Sequence, residues 1–322
     1  MEHQAADFYD FEPKSNNVLK EVLVGLSQSQ KSLSPKLLYD KKGSEIFEEI
    51  CRLKEYYPTR AETEILRDHS FEMCDYIGEG ALIIEPGSGS GEKVRFLFDH
   101  LVRPAGYVPL EISKEILLRM TEEIHEEYPE IKVIPVCADF TQDIELPISV
   151  DSHSGKKVIF FPGSTIGNLA PAEAVSFLKK FGKMIGEGGG VLIGVDLKKD
   201  SETFKLAYDD PKGVTADFNL NLLDRLNREV DARFERENFN HTAFYNEDLG
   251  RVEMHLVSKI PQFVKVNQTI FRFREGETIH TESSYKYSVP EFTELCAKAK
   301  LNLKQHWQDK KNQFCVYYFE RD

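Results

Sequence analysis

Short apolar runs alternate with stretches of helical apolar spacing from about residue 80 to residue 197. Five of these runs predict strands, at residues 81–85, 107–111, 131–137, 157–161 and 191–197. Between them, apolar stripes predict helices that begin near Glu92, after Ser113 and at Pro171. Because this alternation builds a parallel sheet with helices on both faces, the pattern predicts an α/β fold.

Two parts of the chain depart from that rhythm. The first 60 residues are predicted to be helical and loop-rich, with one helix from Val18 to Leu26 and a second capped by Ser44. Residues 198–286 combine a long, highly charged helix with stretches of period-two alternation. This combination indicates an inserted α+β segment.

The C-terminal tail returns to the first rhythm. A helix near residues 290–299 precedes two apolar runs, 301–307 and 314–319, which predict an antiparallel pair closing the sheet. The chain therefore divides into two predicted domains, a larger one of residues 61–197 with 287–322 and a smaller one of residues 1–60 with 198–286.

Composition narrows the classes of partner. Asp and Glu number 54 against 41 Lys and Arg, which gives a formal net charge of −13 over 322 residues. Non-specific nucleic-acid binding depends on cationic side chains, so no nucleic-acid partner is expected. No apolar run approaches the roughly 20 residues that span a bilayer. The five cysteines are scattered without CxxC spacing. We therefore expect a cytoplasmic protein with reduced thiols, no metal site and no membrane partner.

A glycine-rich loop, Glu-Pro-Gly-Ser-Gly-Ser-Gly at residues 85–91, follows the first of these strands and precedes a helix. Glycines at such a place let the backbone turn tightly and approach a ligand. The G-x-G-x-G spacing differs from the dinucleotide fingerprint, and the loop lacks the G-K-S/T of a P-loop. A plain structural turn is the alternative interpretation of the loop taken alone.

Three successive predicted strands end in acidic residues, namely Glu85, Glu111 and Asp139. A carboxylate in the place of Glu111 can accept hydrogen bonds from both ribose hydroxyls. Asp139, with Phe140 beside it, could accept from an adenine amino group. Acidic side chains suit an adenosine ligand without phosphates better than they suit NAD. The pattern therefore favours S-adenosylmethionine, whose sulfonium is cationic.

Longer motifs make the pattern specific. They read LYDxxGSxxF at residues 38–47, EYYPTR at 55–60, PGSTIGN at 162–168, AYDD at 207–210, GVTAxFN at 213–219 and TExS at 281–284. With these motifs the chain resembles, from about residue 33 to its end, the S-adenosylmethionine-dependent L-histidine Nα-methyltransferase family, which forms hercynine in ergothioneine biosynthesis. The resemblance implies a Rossmann-like class I methyltransferase core, doubly wound and mostly parallel with an antiparallel C-terminal strand, plus a smaller α+β substrate domain.

The resemblance also implies residue roles. The methyl donor would be held by Gly87, Lys93, Glu111, Asp139 and Phe140. The amino acid would be held by Tyr56, Asn168, Tyr208, Glu282 and Ser284, with Phe47 and Met254 packed against it. The catalytic residues would be Tyr39, Asn168 and Tyr56. The substrates would be L-histidine and its mono- and dimethyl forms, and we expect a monomer.

These residue types suit methyl transfer to an amine. The reaction needs positioning more than acid–base chemistry, since charge moves from sulfur to nitrogen. Glu282 can accept an imidazole N–H, which a phenyl ring could not supply. An aromatic wall of Tyr39, Phe47 and Tyr56 can bind a trimethylated amine by cation–π attraction. Without the resemblance, Phe47 and Met254 would be interpreted as ordinary core residues.

Three other functions compete with this interpretation. A methyltransferase of the same family could act on a tryptophan- or tyrosine-type amine. An NAD-dependent oxidoreductase is disfavoured by the loop spacing. A non-catalytic protein that senses S-adenosylmethionine would need no amino-acid pocket.

Glu111 departs from the family pattern. It stands where relatives commonly have aspartate, and its extra methylene would shift the ribose slightly.

Overall fold

The computed structural model describes residues 8–11, 18–142, 146–147, 150 and 155–322. Residues 1–7 and 12–17 of the predicted smaller domain lie outside the described residues. Within the described part of the chain, no helix is long and apolar enough to cross a membrane.

The strands and helices are numbered here in chain order. The strands are β1 (Tyr9–Asp10), β2 (Lys31–Ser32), β3 (Leu82–Pro86), β4 (Gly106–Glu111), β5 (Val136–Cys137), β6 (Lys157–Phe161), β7 (Gly190–Asp196), β8 (Phe239–Asn246), β9 (Arg251–Ser258), β10 (Gln262–Val266), β11 (Thr269–Phe273), β12 (Thr278–Tyr285), β13 (Leu301–Gln308) and β14 (Phe314–Arg321). The α-helices are α1 (Val18–Leu26), α2 (Lys41–Arg52), α3 (Tyr57–Ile77), α4 (Arg95–Phe98), α5 (Lys114–Glu127), α6 (Pro171–Ile185), α7 (Ser201–Tyr208), α8 (Val214–Glu229) and α9 (Val289–Ala297).

A large sheet carries the strand order β1-β5-β4-β3-β6-β7-β14-β13. Its first six strands run parallel, whereas β14 pairs antiparallel with both β7 and β13. One apolar core covers each face of this sheet. The prediction of a mostly parallel α/β sheet closed by an antiparallel C-terminal pair is therefore confirmed.

The strand predicted at residues 131–137 is wrong in length. Only β5 has ladder pairing, with a single further bridge between Tyr107 and Val133. Pro135 interrupts the run because proline has no N–H to give to a neighbouring strand. Its carbonyl still accepts from Tyr9 N at 3.1 Å, and this bond seats β1 on the sheet edge.

The second predicted helix begins earlier than the prediction placed it. Asp40 caps α2, because its Oδ1 accepts from Gly43 N at 2.8 Å. The interpretation of Ser44 as the cap was therefore wrong. A Cβ at Gly43 would lie 1.8 Å from the Leu38 carbonyl oxygen, so only glycine fits this first turn. The cap and the glycine together hold Tyr39 between the 3-10 helix Pro35–Leu38 and the start of α2.

A second, smaller sheet carries the order β2-β12-β9-β8, and a separate hairpin pairs β10 with β11. Its apolar core combines residues of the first 57 positions with residues of 204–279. The stretch 9–10, however, pairs with the large sheet although it falls in the predicted smaller domain. The division of the chain into two domains therefore stays a prediction.

Candidate active site

The glycine loop after β3 forms an open turn above the sheet. Gly87 has a φ of +71° and its N–H donates to the Leu110 carbonyl at 2.7 Å, which holds the loop against β4. A Cβ at Gly87 would lie 3.0 Å from the Phe140 ring, whereas one at Gly89 would meet nothing within 4 Å. Phe140 therefore packs closely on Gly87, and the open side of the loop lies at Gly89, where the backbone leaves room for a ligand.

Glu111 lies at the end of β4 and faces this loop. Its Oε2 accepts from Gly89 N at 3.2 Å, and its Oε1 accepts from Ile112 N at 2.9 Å and Ser113 N at 3.0 Å. Burial raises the pKa of the Glu111 carboxyl, while these backbone donors oppose the shift. A half-buried carboxylate held by backbone donors beside a glycine turn fits the two hydroxyls of a ribose.

The remaining two acids of the predicted series differ from each other. Asp139 accepts from Thr141 N at 3.0 Å and lies next to Phe140 in the loop after β5. Glu85 is buried and accepts a hydrogen bond from the Tyr107 hydroxyl. Burial raises the pKa of Glu85 to about 8. Glu85, which ends the first of the three strands, is therefore engaged inside the sheet and does not face a ligand with Glu111 and Asp139.

Lys93 is held by an acid that sequence reasoning missed. Its Nζ lies 2.5 Å from Oε2 of Glu62, a residue of α3 that is 1% exposed. The N–H of Gly163 donates to both Glu62 oxygens, at 2.9 and 3.0 Å. Burial alone would lower the pKa of Lys93, but Glu62 holds it above its usual value. Glu62 therefore ties the loop after β6 to the lysine predicted to bind the donor.

The predicted amino-acid ligands Asn168 and Glu282 meet at the junction of the two sheets. Asn168 ends a 3-10 helix, Thr165–Asn168, which is entered through Ser164 at a φ of +59°. Its Nδ2 donates to Glu282 Oε1 at 3.1 Å. Burial raises the pKa of Glu282 to about 7, against the lowering effects of Lys286 and Asn168. The bond uses Oε1, so Oε2 stays available to accept from a ligand.

Tyr208 and Ser284, also predicted ligands, are bonded to each other. The Tyr208 hydroxyl donates to Ser284 Oγ at 3.0 Å. Lys286, which sequence reasoning missed, donates to both hydroxyls at 2.8 Å. Its position two residues after Ser284 and four after Glu282 continues the period-two face of β12, and that spacing was the signal that could have found it.

An aromatic wall lines the same region. Ring centroids lie 5.4 Å apart for Tyr39 and Phe47, 6.1 Å for Phe47 and Tyr56, and 6.2 Å for Tyr56 and Tyr208. Phe218, a residue of α8 that was not predicted, completes it at 5.4 Å from Tyr39. The structure thus brings the three predicted aromatic residues together, in edge-to-face geometry that suits a cationic ligand.

Met254 is the last residue of the predicted set, and a cavity opens beside its strand partner Glu282. Met254 is buried and pairs with Glu282 across β9 and β12. A cavity of about 620 Å³ includes Asn168 and Glu282 in its lining. Gly25 of α1 and Arg251 of β9 line the same cavity. The carboxamide and carboxylate of the pocket are therefore reachable from the outside along this side of the small sheet.

Glu253, His255 and His280 also come together, with potential ligand atoms within 4.8 Å of one another. The carboxylate is already used, because Oε1 accepts from Arg251 Nε and Oε2 from His255 Nε2, both at 2.9 Å. A cation there would face the Arg251 guanidinium. We therefore interpret the cluster as a structural ion pair.

Comparison with known proteins identifies the family. The model of the histidine-specific, S-adenosylmethionine-dependent methyltransferases matches residues 18–321. The histidine N-alpha-methyltransferase of Mycolicibacterium smegmatis is 38% identical over 303 residues, 92% of each chain. The protein of the same name from Mycobacterium tuberculosis is 38% identical over 301 residues, again 92% of each chain. Ergothioneine biosynthesis protein 1 of Neurospora crassa is 31% identical over 84% of this chain and 31% of its own length.

Among solved structures, the mitomycin 7-O-methyltransferase MmcR superposes with a TM-score of 0.50 at 12% identity, over 95% of this chain and 68% of that one. This likeness concerns the fold alone. The match of the family model to nearly the whole chain, together with the two mycobacterial relatives, shows the family directly. The chain belongs to the histidine-specific, S-adenosylmethionine-dependent methyltransferases.

Proposed function

We propose that this enzyme transfers three methyl groups from S-adenosylmethionine to the α-amino group of L-histidine and so forms hercynine for ergothioneine biosynthesis. The contact that carries the proposal joins Asn168 to Glu282, at 3.1 Å and partly buried at the wall of the cavity. A carboxylate held this way can accept an imidazole N–H, and the hydrocarbon ring of phenylalanine offers no such donor. The names of the mycobacterial relatives support the same substrate.

The donor side of the site follows from the loop geometry. Glu111 would accept from the ribose hydroxyls, Asp139 from the adenine amino group, and Phe140 would pack on the base. Lys93 would meet the donor's carboxylate from its place beside Glu62. The bound donor supplies an electrophilic methyl group on a cationic sulfur. The residues of this chain then align it with the amine.

The aromatic wall suits three successive transfers. A trimethylated amine has no N–H left to donate, but Tyr39, Phe47 and Tyr56 can still hold its charge, at roughly 0.5–2 kcal/mol per ring. The pKa of Tyr39 lies well above 10, because burial and the nearby Glu282 disfavour its phenolate. We therefore propose that the amine loses its protons to water and that no strong base is needed between rounds.

The setting of the enzyme is part of the proposal. All five cysteines are free thiols, which supports a cytoplasmic protein. We propose that it acts as a monomer, with residues 1–60 and 198–286 as the substrate domain against the donor-binding remainder.

One assay tests the proposed reaction. We expect incubation with S-adenosylmethionine and L-histidine to give products heavier by one, two and three methyl groups, with fragmentation placing all three on the α-amino nitrogen. Tryptophan and tyrosine, incubated in the same way, should stay unmodified. Methylation of another amine in place of histidine, or no transfer at all, would contradict the proposal.

The placement of Asn168 gives a second prediction. A Cβ at Gly167 would lie 2.8 Å from the Tyr285 backbone oxygen, so Gly167→Ala must displace Asn168 from Glu282. We expect kcat/KM for histidine to fall roughly 10- to 100-fold, with donor binding retained. Gly182→Ala is the matched control, because its Cβ would meet nothing closer than 3.6 Å. Equal activity of the two variants would show that the close approach at Gly167 does not position Asn168.

A further inference from the structure

Lys286 is a fully buried ammonium at the end of β12, with its side chain 0% exposed. It donates to Asp196 Oδ2 at 2.6 Å and to the hydroxyls of Tyr208 and Ser284, both at 2.8 Å. An ammonium has three N–H donors and no acceptor, so these bonds use all of its capacity. The Lys286 ammonium therefore fixes the direction of every hydrogen bond that it makes.

Asp196 keeps this ammonium charged. Its carboxylate also accepts from the Tyr57 hydroxyl at 2.7 Å and from Lys199 at 2.6 Å. Burial alone would raise the pKa of Asp196, but Lys286 and Lys199 hold it below its usual value. The Asp196 carboxylate and the Lys286 ammonium are thus ionised together.

The direction of the remaining bonds follows. Both hydroxyls accept from Lys286. Because the ammonium occupies the acceptor side of the Tyr208 oxygen, the Tyr208 hydroxyl turns its own hydrogen toward Ser284 Oγ, 3.0 Å away. Ser284 Oγ then accepts two hydrogen bonds, and its hydroxyl hydrogen is left to point at a ligand. Glu282, two residues earlier on the same face of β12, can only accept when ionised.

We propose that Lys286 is a positioning residue that makes Ser284 a hydrogen-bond donor, so that the pocket offers one donor and one acceptor and selects the neutral imidazole ring. The inference rests on the proposed function, since it concerns how the enzyme recognises the histidine side chain. A neutral imidazole carries one N–H and one bare nitrogen, which match Glu282 and Ser284. An imidazolium carries two N–H groups, and one of them would face the Ser284 hydrogen.

Pyrrole analogues of histidine test the donor role directly. 3-(Pyrrol-2-yl)alanine and 3-(pyrrol-3-yl)alanine each keep one of the two ring N–H groups and replace the bare nitrogen with C–H. The Ser284 hydrogen would be left without an acceptor in either one. We expect the unmodified enzyme to prefer histidine over the better analogue by roughly 10- to 100-fold in kcat/KM, since an unmet buried donor is costly.

Lys286→Met removes the ammonium at similar length. The Ser284 hydroxyl can then turn toward Tyr208, so the preference for histidine over the pyrrole analogue should fall to a few-fold. KM for histidine should rise, and KM for S-adenosylmethionine should stay within about two-fold. Lys298→Met is the matched control, because Lys298 is 62% exposed and pairs only across one helix turn with Glu294.

Ser284→Ala keeps the test decisive if Lys286→Met fails to fold. It removes the proposed donor itself and should reduce the preference to the same few-fold value. A folded Lys286→Met or Ser284→Ala enzyme that keeps the full preference would overturn the inference. If the unmodified enzyme did not methylate histidine, the proposed function would fail first, and the two failures are thereby distinguished.

Discussion

Glu282→Leu is expected to lower kcat/KM for histidine by about 10²- to 10⁴-fold and to make the folded protein more stable at pH 8. The loss of activity follows because the imidazole N–H would be buried without an acceptor. The gain in stability follows because the native carboxylate is buried, and burial raises its pKa to about 7. Steady-state kinetics and thermal unfolding on the same preparations measure both effects.

The sign of the stability effect depends on pH. The pKa of Glu282 is higher in the folded chain than in the unfolded one, so the native state binds the proton more tightly between pH 4.5 and 7. The cost of burying the charge, on the order of 2–3 kcal/mol, is therefore fully present above pH 7 and disappears as pH falls toward 4.5. The advantage of the leucine variant over the native protein should shrink over the same range.

Glu282→Gln is the matched control for shape. Its amide oxygen can still accept from the ring, so its activity should lie between those of the native enzyme and Glu282→Leu. Its unfolding should share the pH dependence of the leucine variant. A leucine variant that methylates histidine at the native rate would refute Glu282 as the group that recognises the imidazole.

The second large effect is expected for Lys93→Met. The substitution leaves Glu62, which is 1% exposed, without its ammonium partner. Removal of one partner from a buried ion pair costs about 3–5 kcal/mol. We expect that loss in the free energy of unfolding, together with weakened binding of S-adenosylmethionine, as measured by chemical denaturation and calorimetry.

The double variant Lys93→Met with Glu62→Gln separates the two effects. It removes the uncompensated charge and should recover most of the stability, whereas donor binding should stay weak. Lys156→Met serves as the control, since Lys156 and Glu320 form a partly exposed pair at 2.8 Å whose loss should cost less than about 1 kcal/mol. If Lys93→Met bound the donor normally, the role predicted for this lysine would have to be abandoned.

The parts of the fold that follow local rules could be predicted from the sequence. The apolar runs of β3, β4, β6 and β7 and the glycine loop were found because strand burial and turn chemistry are written in neighbouring residues. Errors arose where a local choice had competitors. Asp40 and Ser44 both suit a helix cap, and the contact of Gly43 with the Leu38 carbonyl decides between them.

The charged residues behind the site could not be predicted. Four such residues, up to 224 positions apart in the chain, are Glu62, Asp196, Lys199 and Lys286. Taken one at a time, each would be predicted to lie on the surface, because charged residues are mostly exposed. Their burial becomes favourable only when the fold brings acid and base together, at 2.5–2.6 Å in this structure. Glu282 was predicted as a ligand from its motif. Glu62, Asp196 and Lys199 carried no local signal, and for Lys286 the period-two spacing after Glu282 and Ser284 was the single one.

The ion pair of Lys286 and Asp196 limits how the enzyme can be rebuilt. Lys286 follows β12, the strand that carries Glu282, and Asp196 ends β7 of the large sheet. One residue beyond Lys286 and two beyond Asp196, a backbone hydrogen bond also joins the two segments, because Lys198 N donates to the Tyr287 carbonyl at 3.1 Å. A chimera that takes its substrate pocket from a relative with another specificity should therefore take Lys286 and Asp196 from the same parent. Otherwise the Tyr208 and Ser284 hydroxyls of the pocket will lose the ammonium that orients them.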